Sequence, residues 1–137
     1  MWPLSHPKLS STVLGGDFNC IEDANLDKIG CNPCNRLSGS TQLKRLKEAF
    51  DLEDPFRHLY KNELSYTWQN NSTGIKTRID RFYIDNALCG KVSDIKHLNL
   101  NISDHRAVLL EFRENPNSSI CLGDGVWKLN NSLLALS

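Results

Sequence analysis

Three short acidic stretches of the sequence carry residue types from which a hydrolytic site can be built. They are Gly15–Asn19 (Gly-Gly-Asp-Phe-Asn), Thr77–Asp80 (Thr-Arg-Ile-Asp) and Ser103–His105 (Ser-Asp-His). Each places an aspartate beside residues typical of a strand end, and the third stretch adds a histidine. Carboxylates and an imidazole gathered at one sheet edge can hold a divalent cation and activate a water. The three stretches together indicate chemistry that breaks a phosphodiester bond.

Size and composition bound the class of protein. The chain has 137 residues, of which 39% are hydrophobic and 23% charged, which is typical of one soluble globular domain. Its 16 basic residues balance 16 acidic ones, so the net charge does not indicate a dedicated nucleic-acid-binding module. No window approaches the roughly 18 apolar residues of a membrane span, and the first residues lack the apolar core of a signal peptide. We expect an intracellular protein that is not secreted and has no membrane partner.

The five cysteines are expected to be free thiols, as is usual inside cells. Cys31 and Cys34 have the spacing of half a zinc site or of a redox pair. Neither a second Cys-x-x-Cys nor a His-x3-His follows to complete a tetrahedral ligand set. We therefore interpret Cys31 and Cys34 as loop thiols.

The first half of the chain predicts a strand, a loop and a helix. The β-prone run Ser11–Leu14 stops at two glycines, which places Asp17 just past a strand end. Residues 25–40 are polar and predict a long surface loop. Ser40 is expected to cap a helix that Pro55 closes. The apolar stripe of this helix is formed by Leu43, Leu46 and Phe50.

In the second half of the chain, apolar and polar residues alternate with the two-residue period typical of strands. Tyr66–Gln69 predicts a strand, Asn70–Gly74 a tight hairpin turn, and Thr77–Ile84 the returning arm. On that arm Asp80 shares one face with two apolar residues, because strand side chains alternate. Ala107–Phe112 predicts the last strand, whose buried side consists of Val108, Leu110 and Phe112. Strands interrupted by one helix indicate an α+β or layered α/β fold.

The ordered motifs resemble a known group of enzymes. Gly-Gly-Asp-Phe-Asn, Tyr-Thr-Trp, Arg-Ile-Asp-Arg and Ser-Asp-His, in this order, resemble the C-terminal half of the endonuclease/exonuclease/phosphatase superfamily. The nearest resemblance is to the endonuclease domain of non-LTR (LINE-type) retrotransposons, which the segments Asp54–Arg57 and Trp127–Leu134 also resemble. The fold implied is part of a four-layer α/β sandwich of the DNase-like type. The function implied is a phosphodiester hydrolase that requires Mg²⁺ or Mn²⁺ and acts on DNA.

The resemblance also implies roles for single residues. His105 would be the general base, because the ordinary pKa of histidine lies near neutrality. Asp80 would accept a hydrogen bond from the other ring nitrogen and fix the tautomer. Asp104 would contribute to the cation site.

Three further residues would act on the substrate. Asp17 would protonate the leaving group or position the water, and Asn19 would contact a phosphate oxygen. Asp17 and Asn19 lie two positions apart, so along an extended backbone both side chains point the same way. Thr67 would donate its hydroxyl to the same phosphate.

Simpler readings exist for each motif alone. Gly15–Asn19 can be a turn, and Ser103–His105 can be a plain loop. Asp80 is harder to explain in this way, because a carboxylate on an apolar strand face needs a partner that offsets its desolvation. His105 as that partner accounts for both residues. Other functions also stay open: an abasic-site nuclease, an inositol or lipid phosphate phosphatase, or a non-catalytic remnant that binds nucleic acid or a partner.

The sequence departs from the family in its first half. Family members open with a half-domain that supplies an asparagine and the main metal-binding glutamate, and no acidic residue precedes Asp17 here. We expect residues 1–10 to be an N-terminal remnant, 11–112 the C-terminal half of the domain and 113–137 a linker-like tail. A chain without the other half would be marginally stable and weak or inactive alone. Its partners would be the other half-domain or a reverse-transcriptase polypeptide, and its location would be inside the cell, with the nucleus as the compartment that the resemblance implies.

Overall fold

The computed structural model describes residues 11–30 and 39–113. Across these residues short antiparallel strands alternate with two α-helices and one 3₁₀ helix. The strands are β1 (Val13–Asp17), β2 (Lys28–Ile29), β3 (Leu52–Glu53), β4 (Trp68–Gln69), β5 (Lys76–Thr77), β6 (Asp80–Asp85), β7 (Val92–Leu98) and β8 (Ala107–Phe112). The helices are α1 (Ser40–Phe50), α2 (Pro55–Leu59) and the 3₁₀ helix Asn86–Lys91.

Strand β6 is the centre of the first sheet, in which the order is β1–β6–β3 and both pairs are antiparallel. The pattern predicts that β1 ends before its glycines, but the strand continues through Asp17. Gly15 lies against the ring of Phe82, because a Cβ at Gly15 would be 2.5 Å from Phe82 Cε1. Close approach of this ring, and not a turn, is what requires glycine here.

The second sheet has the order β2–β5–β4. The turn predicted at Asn70–Gly74 is confirmed: the Gly74 N–H donates to Asn70 O, and Asn70 Oδ1 accepts from two backbone N–H groups within the turn. The returning arm, predicted as one strand over Thr77–Ile84, is instead divided between β5 and β6. Arg78 and Ile79 form the break, so one continuous stretch of chain serves two sheets.

The third sheet is the pair β7–β8. Sequence patterning predicted β8 but missed β7. A register shift between Val92 and Asp94 explains the omission, since it breaks the alternation on which strand prediction depends. An isolated bridge between Trp68 and His105 joins the second sheet to the segment before β8.

Both ends of the predicted helix differ in the structure. The N-cap of α1 is Gly39, in a left-handed conformation with φ 97°, and not Ser40. The helix ends at Phe50, and Asp51 follows it with φ 53°. Pro55 does not close α1 but opens α2, where the Asp54 side chain caps the N–H groups of the first turn. Proline suits the first turn of a helix because its missing N–H would have no helical partner there.

Two apolar clusters form the core on either side of β6. The first combines Cys20, Leu43, Leu52 and Tyr83, and the second combines Ile84, Cys89 and Val92. Cys20 and Cys89 are free thiols, as expected. The side of β8 expected to be buried is only partly so: Leu110 packs against the second cluster, but Phe112 is 41% exposed.

A buried ion network lies beneath the break between β5 and β6. Arg78, only 1% exposed, donates to Asp27 at 2.8 Å and to Asp54 at 2.7 Å. Arg57 adds a second contact to Asp27, also at 2.8 Å. Asp27 therefore does not belong to a surface loop, as residues 25–40 had predicted, because it is 1% exposed. The network ties this segment, the start of α2 and the strand break together.

Several predictions concern parts of the chain outside the described residues. They are the N-terminal remnant at 1–10, the thiols Cys31 and Cys34, and the tail beyond residue 113. Within 11–30 and 39–113, none of the helices has the length and apolar character that a membrane crossing requires.

Candidate active site

Asp17 and Asp80 lie directly opposite each other at the end of the β1–β6 pair. Two like charges at paired positions of neighbouring strands repel, which costs stability. Oxygen atoms of both carboxylates and a ring nitrogen of His105 all lie within 4.8 Å of one another. We call Asp17, Asp80 and His105 the site cluster. The arrangement brings two carboxylates and an imidazole together as potential ligands of a cation.

His105 is held by Asp80. Its Nδ1 lies 2.9 Å from Asp80 Oδ2. The hydrogen bond to Asp80 raises the pKa of His105 above its ordinary value, and partial burial opposes this rise. In neutral His105, a proton on Nδ1 facing the carboxylate leaves the lone pair on Nε2, which is the atom that can accept a proton from water.

Thr67 has a different environment from the one expected. It is fully buried, and its Oγ1 accepts from the N–H groups of Ile79 at 3.1 Å and Asp80 at 3.0 Å. The Thr67 hydroxyl is therefore held by backbone N–H groups beneath the strand break, while Thr67 also lines the cavity beside His105. These contacts fix the backbone of Asp80, whose side chain contacts His105.

Asp104 lies beside the site cluster without being part of it. The Trp68 indole Nε1 donates to Asp104 Oδ2 at 2.9 Å. Asp104 is exposed, and its charge adds to the rise in the pKa of His105. One carboxylate oxygen thus holds the indole, which leaves the other oxygen as the candidate cation ligand.

Asn19 lies just past β1 in a left-handed conformation with φ 49°. Its backbone N–H donates to Asp17 Oδ1 at 2.8 Å. The expectation that strand alternation aligns the two side chains does not apply, because Asn19 is outside the strand. Asn19 is exposed, and its N–H positions the Asp17 carboxylate.

The sequence analysis missed the residues that support this site from below. Arg78 was identified only as part of a motif, and Asp27 was placed in a loop. The one available signal was the Arg-Ile-Asp-Arg stretch itself, since two arginines flanking a strand aspartate need anions if they are buried. Burial and the charges of Asp54 and Asp27 act in opposite directions on the pKa of Arg78, and the net effect raises it.

A small cavity of about 20 Å³ opens beside His105. Its walls include Trp68, Asn99, Asp104 and Arg106. The cavity brings together an imidazole, a carboxylate and a guanidinium.

No protein-family model matches the chain. Its fold is similar to that of several solved structures. One is an AP endonuclease from Leishmania major, with a TM-score of 0.65 and 18% identity, covering 75% of this chain and 35% of that one. Another is a 3′-5′ exonuclease from Neisseria meningitidis, with a TM-score of 0.56 and 22% identity, covering 74% of this chain and 45% of that one.

A third similar structure is a 3′ phosphatase from Neisseria bound to a product DNA hairpin. It has a TM-score of 0.58 and 21% identity, and the match covers 76% of this chain and 46% of that one. The chain thus spans between 35% and 46% of the length of these structures. The expected fold class is confirmed: this mixed α/β chain with antiparallel sheets has a partial DNase-like fold, which it shares with one part of each of these structures.

Proposed function

We propose that this chain is part of a divalent-cation-dependent phosphodiester hydrolase that acts on DNA. The observation that carries the proposal is the contact between His105 and Asp80, 2.9 Å long, with Asp17 in the same cluster. A histidine oriented by a carboxylate is the arrangement used for general-base catalysis. The shared fold is consistent with this chemistry.

Each residue of the cluster has a distinct task in the proposal. Neutral His105 accepts a proton from the attacking water at Nε2. Asp80 holds the imidazole in the required tautomer and stabilises the imidazolium that forms. Asp17, fixed by the Asn19 N–H, either positions the water or returns a proton to the leaving oxygen. The Asn19 side chain is exposed at the same edge and contacts a phosphate oxygen.

The donor set fits a hard divalent cation such as Mg²⁺ or Mn²⁺. Such cations prefer carboxylate oxygens, and manganese also accepts imidazole. Asp17 and Asp80 would hold the cation, and Asp104, which lies beside the site cluster, would contribute its charge. The facing carboxylates of Asp17 and Asp80 are the structural reason, because a positive charge between them relieves their repulsion. When bound, the cation supplies charge neutralisation for the phosphate.

Within this class we propose a DNA-nicking endonuclease of the retroelement type. The support is the resemblance of the ordered motifs, together with the segment Asp54–Arg57, which forms the start of α2. Such an enzyme would act on chromosomal DNA in the nucleus. Its partners would be a reverse-transcriptase polypeptide and the segment that supplies the rest of the domain.

Nicking of supercoiled plasmid by the 137-residue chain tests the proposal. The assay includes Mg²⁺ or Mn²⁺, with EDTA as the metal-free arm. Any nicking that occurs should need both the cation and His105, so His105→Ala abolishes it. His58→Ala is the matched control, because His58 is exposed on α2 and outside the cluster. Metal-dependent nicking that survives His105→Ala would reject the assigned role of His105.

The chain alone is expected to nick weakly or not at all, so a second arm adds a complementary half-domain from a related endonuclease. Gain of His105-dependent nicking in this arm supports the proposal. A folded chain that stays inactive with the added half is instead a non-catalytic binding module.

The similar structures favour a second candidate within the same chemistry. They are an AP endonuclease, a 3′-5′ exonuclease and a 3′ phosphatase. Duplexes with an abasic site, with a 3′ phosphate and with neither should therefore be compared. Preference for the abasic duplex would replace the retroelement assignment with that of an abasic-site nuclease. An inositol phosphate in the same assay tests the phosphatase alternative.

A further inference from the structure

The turn between β7 and β8 exposes apolar side chains next to the site cluster. Leu98, Leu100 and Ile102 are 42%, 40% and 93% exposed. Single exposed aliphatic residues are ordinary on protein surfaces, but three within five positions form a patch. We call Leu98, Leu100 and Ile102 the apolar turn.

The conformation of this turn is defined by hydrogen bonds. The Ser103 N–H donates to Leu100 O at 3.4 Å, and Ser103 Oγ accepts from the His105 N–H at 3.0 Å. Asn101 and Ile102 therefore occupy the corner. Glycine, asparagine, aspartate and serine favour turn corners, whereas a β-branched residue does not. Ile102 departs from this preference and is not buried, so the corner exposes an apolar side chain where a polar one would be ordinary.

The position of the apolar turn limits what can cover it. Asn99 and Ser103, which flank its corner, line the same cavity as His105. A protein or membrane seated on Ile102 would therefore obstruct the cavity. A substrate whose phosphate lies at His105 can cover both features at once. Apolar side chains beside a phosphate site suit the faces of nucleotide bases, which stack on or are wedged apart by such groups.

We propose that Leu100 and Ile102 contact the bases or sugars of a nucleic-acid strand whose phosphate lies at the site cluster. The inference rests on the proposed function and assigns this turn a contact with the nucleic-acid substrate. It adds a recognition element that comes from the turn before Ser103 and not from the charged residues of the site.

Binding without cleavage tests the inference directly. Fluorescence anisotropy with short fluorescein-labelled single-stranded and duplex DNA, in EDTA and in a His105→Ala background, measures affinity alone. We expect Ile102→Ser to weaken binding by about fivefold, as removal of an apolar contact does. The dependence of affinity on salt should stay unchanged, because no phosphate contact is lost. Phe50→Ser is the matched control, since Phe50 is 47% exposed on α1.

The outcomes separate this inference from the proposed function. Hydrolysis of bis(p-nitrophenyl) phosphate, compared in the parent and in His105→Ala, reports on the site cluster separately from DNA affinity. Equal DNA affinity with and without Ile102→Ser, with hydrolysis that needs His105, overturns the inference and leaves the proposed function standing. Loss of vesicle binding or self-association in Ile102→Ser, at unchanged DNA affinity, also overturns it. Failure of the parent to hydrolyse the ester even with the added half-domain counts against the proposed function instead.

Discussion

His105 Nδ1 and Asp80 Oδ2 are 2.9 Å apart although the two residues lie 25 positions apart in the sequence. Asp80 begins β6 in the first sheet, whereas His105 is joined to β4 of the second sheet through its bridge with Trp68. The hydrogen bond thus connects two sheets at the point where the site cluster forms. Changes at either residue are expected to affect both chemistry and the fit between the sheets.

Asp80→Asn should lower the nicking rate by a large factor, with a smaller effect on the free energy of unfolding. An amide in place of the carboxylate favours the wrong tautomer of His105, which in hydrolases with this arrangement costs about 10²- to 10⁴-fold in rate. The measurement is the initial nicking rate in the reconstituted assay, with thermal unfolding monitored in parallel. Glu48→Gln on the exposed face of α1 is the control. A rate loss below threefold would contradict the orienting role of Asp80.

The His105–Asp80 contact predicts a pH dependence of stability. Asp80 raises the pKa of His105 in the folded state. The contribution of this contact to stability is therefore fully present below the pKa of His105 in the unfolded chain, near 6.5. It is lost as the pH rises through the raised, folded-state pKa. Since the His105 side chain is 35% exposed, solvent screening keeps the effect below about 1 kcal/mol. Urea unfolding of the parent and of Asp80→Asn, compared on either side of this range, measures it.

Arg78→Met should destabilise the fold by about 3–5 kcal/mol, because it removes the guanidinium that pairs with buried Asp54 and one of the two arginines that contact Asp27 at 2.8 Å. Urea denaturation measures the loss, with Arg45→Met on the exposed face of α1 as the control. Adding Asp54→Asn should recover part of the loss, since the charge that has lost Arg78 is then removed. If Arg78→Met does not fold, Arg78→Lys provides the comparison. A loss below about 1 kcal/mol would show that the network is not a major source of stability.

His97 predicts acid sensitivity. Burial, aided by the positive charges of Arg78, Arg106 and Arg57, lowers the pKa of His97 to about 4. The pKa of His97 is lower in the folded state than in the unfolded state. The contribution of neutral His97 to stability is therefore fully present above pH 6.5 and is lost as the pH falls towards 4. His97→Phe keeps the ring packed on Phe56, where the centroids are 4.7 Å apart, but cannot gain a proton.

As the pH falls over this range, the free energy of unfolding of His97→Phe should therefore drop by about 1–3 kcal/mol less than that of the parent. Unfolding curves at several pH values check the prediction, with His58→Asn on the exposed side of α2 as the control. Parallel losses in the parent and in His97→Phe would contradict it.

The sequence predicted which residues form the site cluster better than it predicted the residues that hold them in place. Asp17, Asp80 and His105 meet as expected, because each motif stands at a strand end or start and the strands are local enough to be recognised. The sequence predicted that the Thr67 hydroxyl contacts the substrate, because a sequence does not show whether a hydroxyl beside a site is buried. Its contacts with two backbone N–H groups became apparent only with the break between β5 and β6.

Long-range charge pairing is what the sequence could not reveal. Asp27 and Arg78 are 51 positions apart, and no local pattern connects a polar stretch with a buried guanidinium. The left-handed backbone of Asn19 was equally hidden, since asparagine accepts both conformations. The bulge in β7 removed the alternation that would have identified the strand.

The hydrogen bond from Trp68 to Asp104 makes the indole a natural reporter of the site. A cation that approaches Asp104 withdraws electron density from the oxygen on which the indole N–H depends. The emission of Trp68 should then shift in proportion to the fraction of chains that hold the ion. Cation occupancy can thus be read optically in a solution that contains no DNA, before any bond is cleaved.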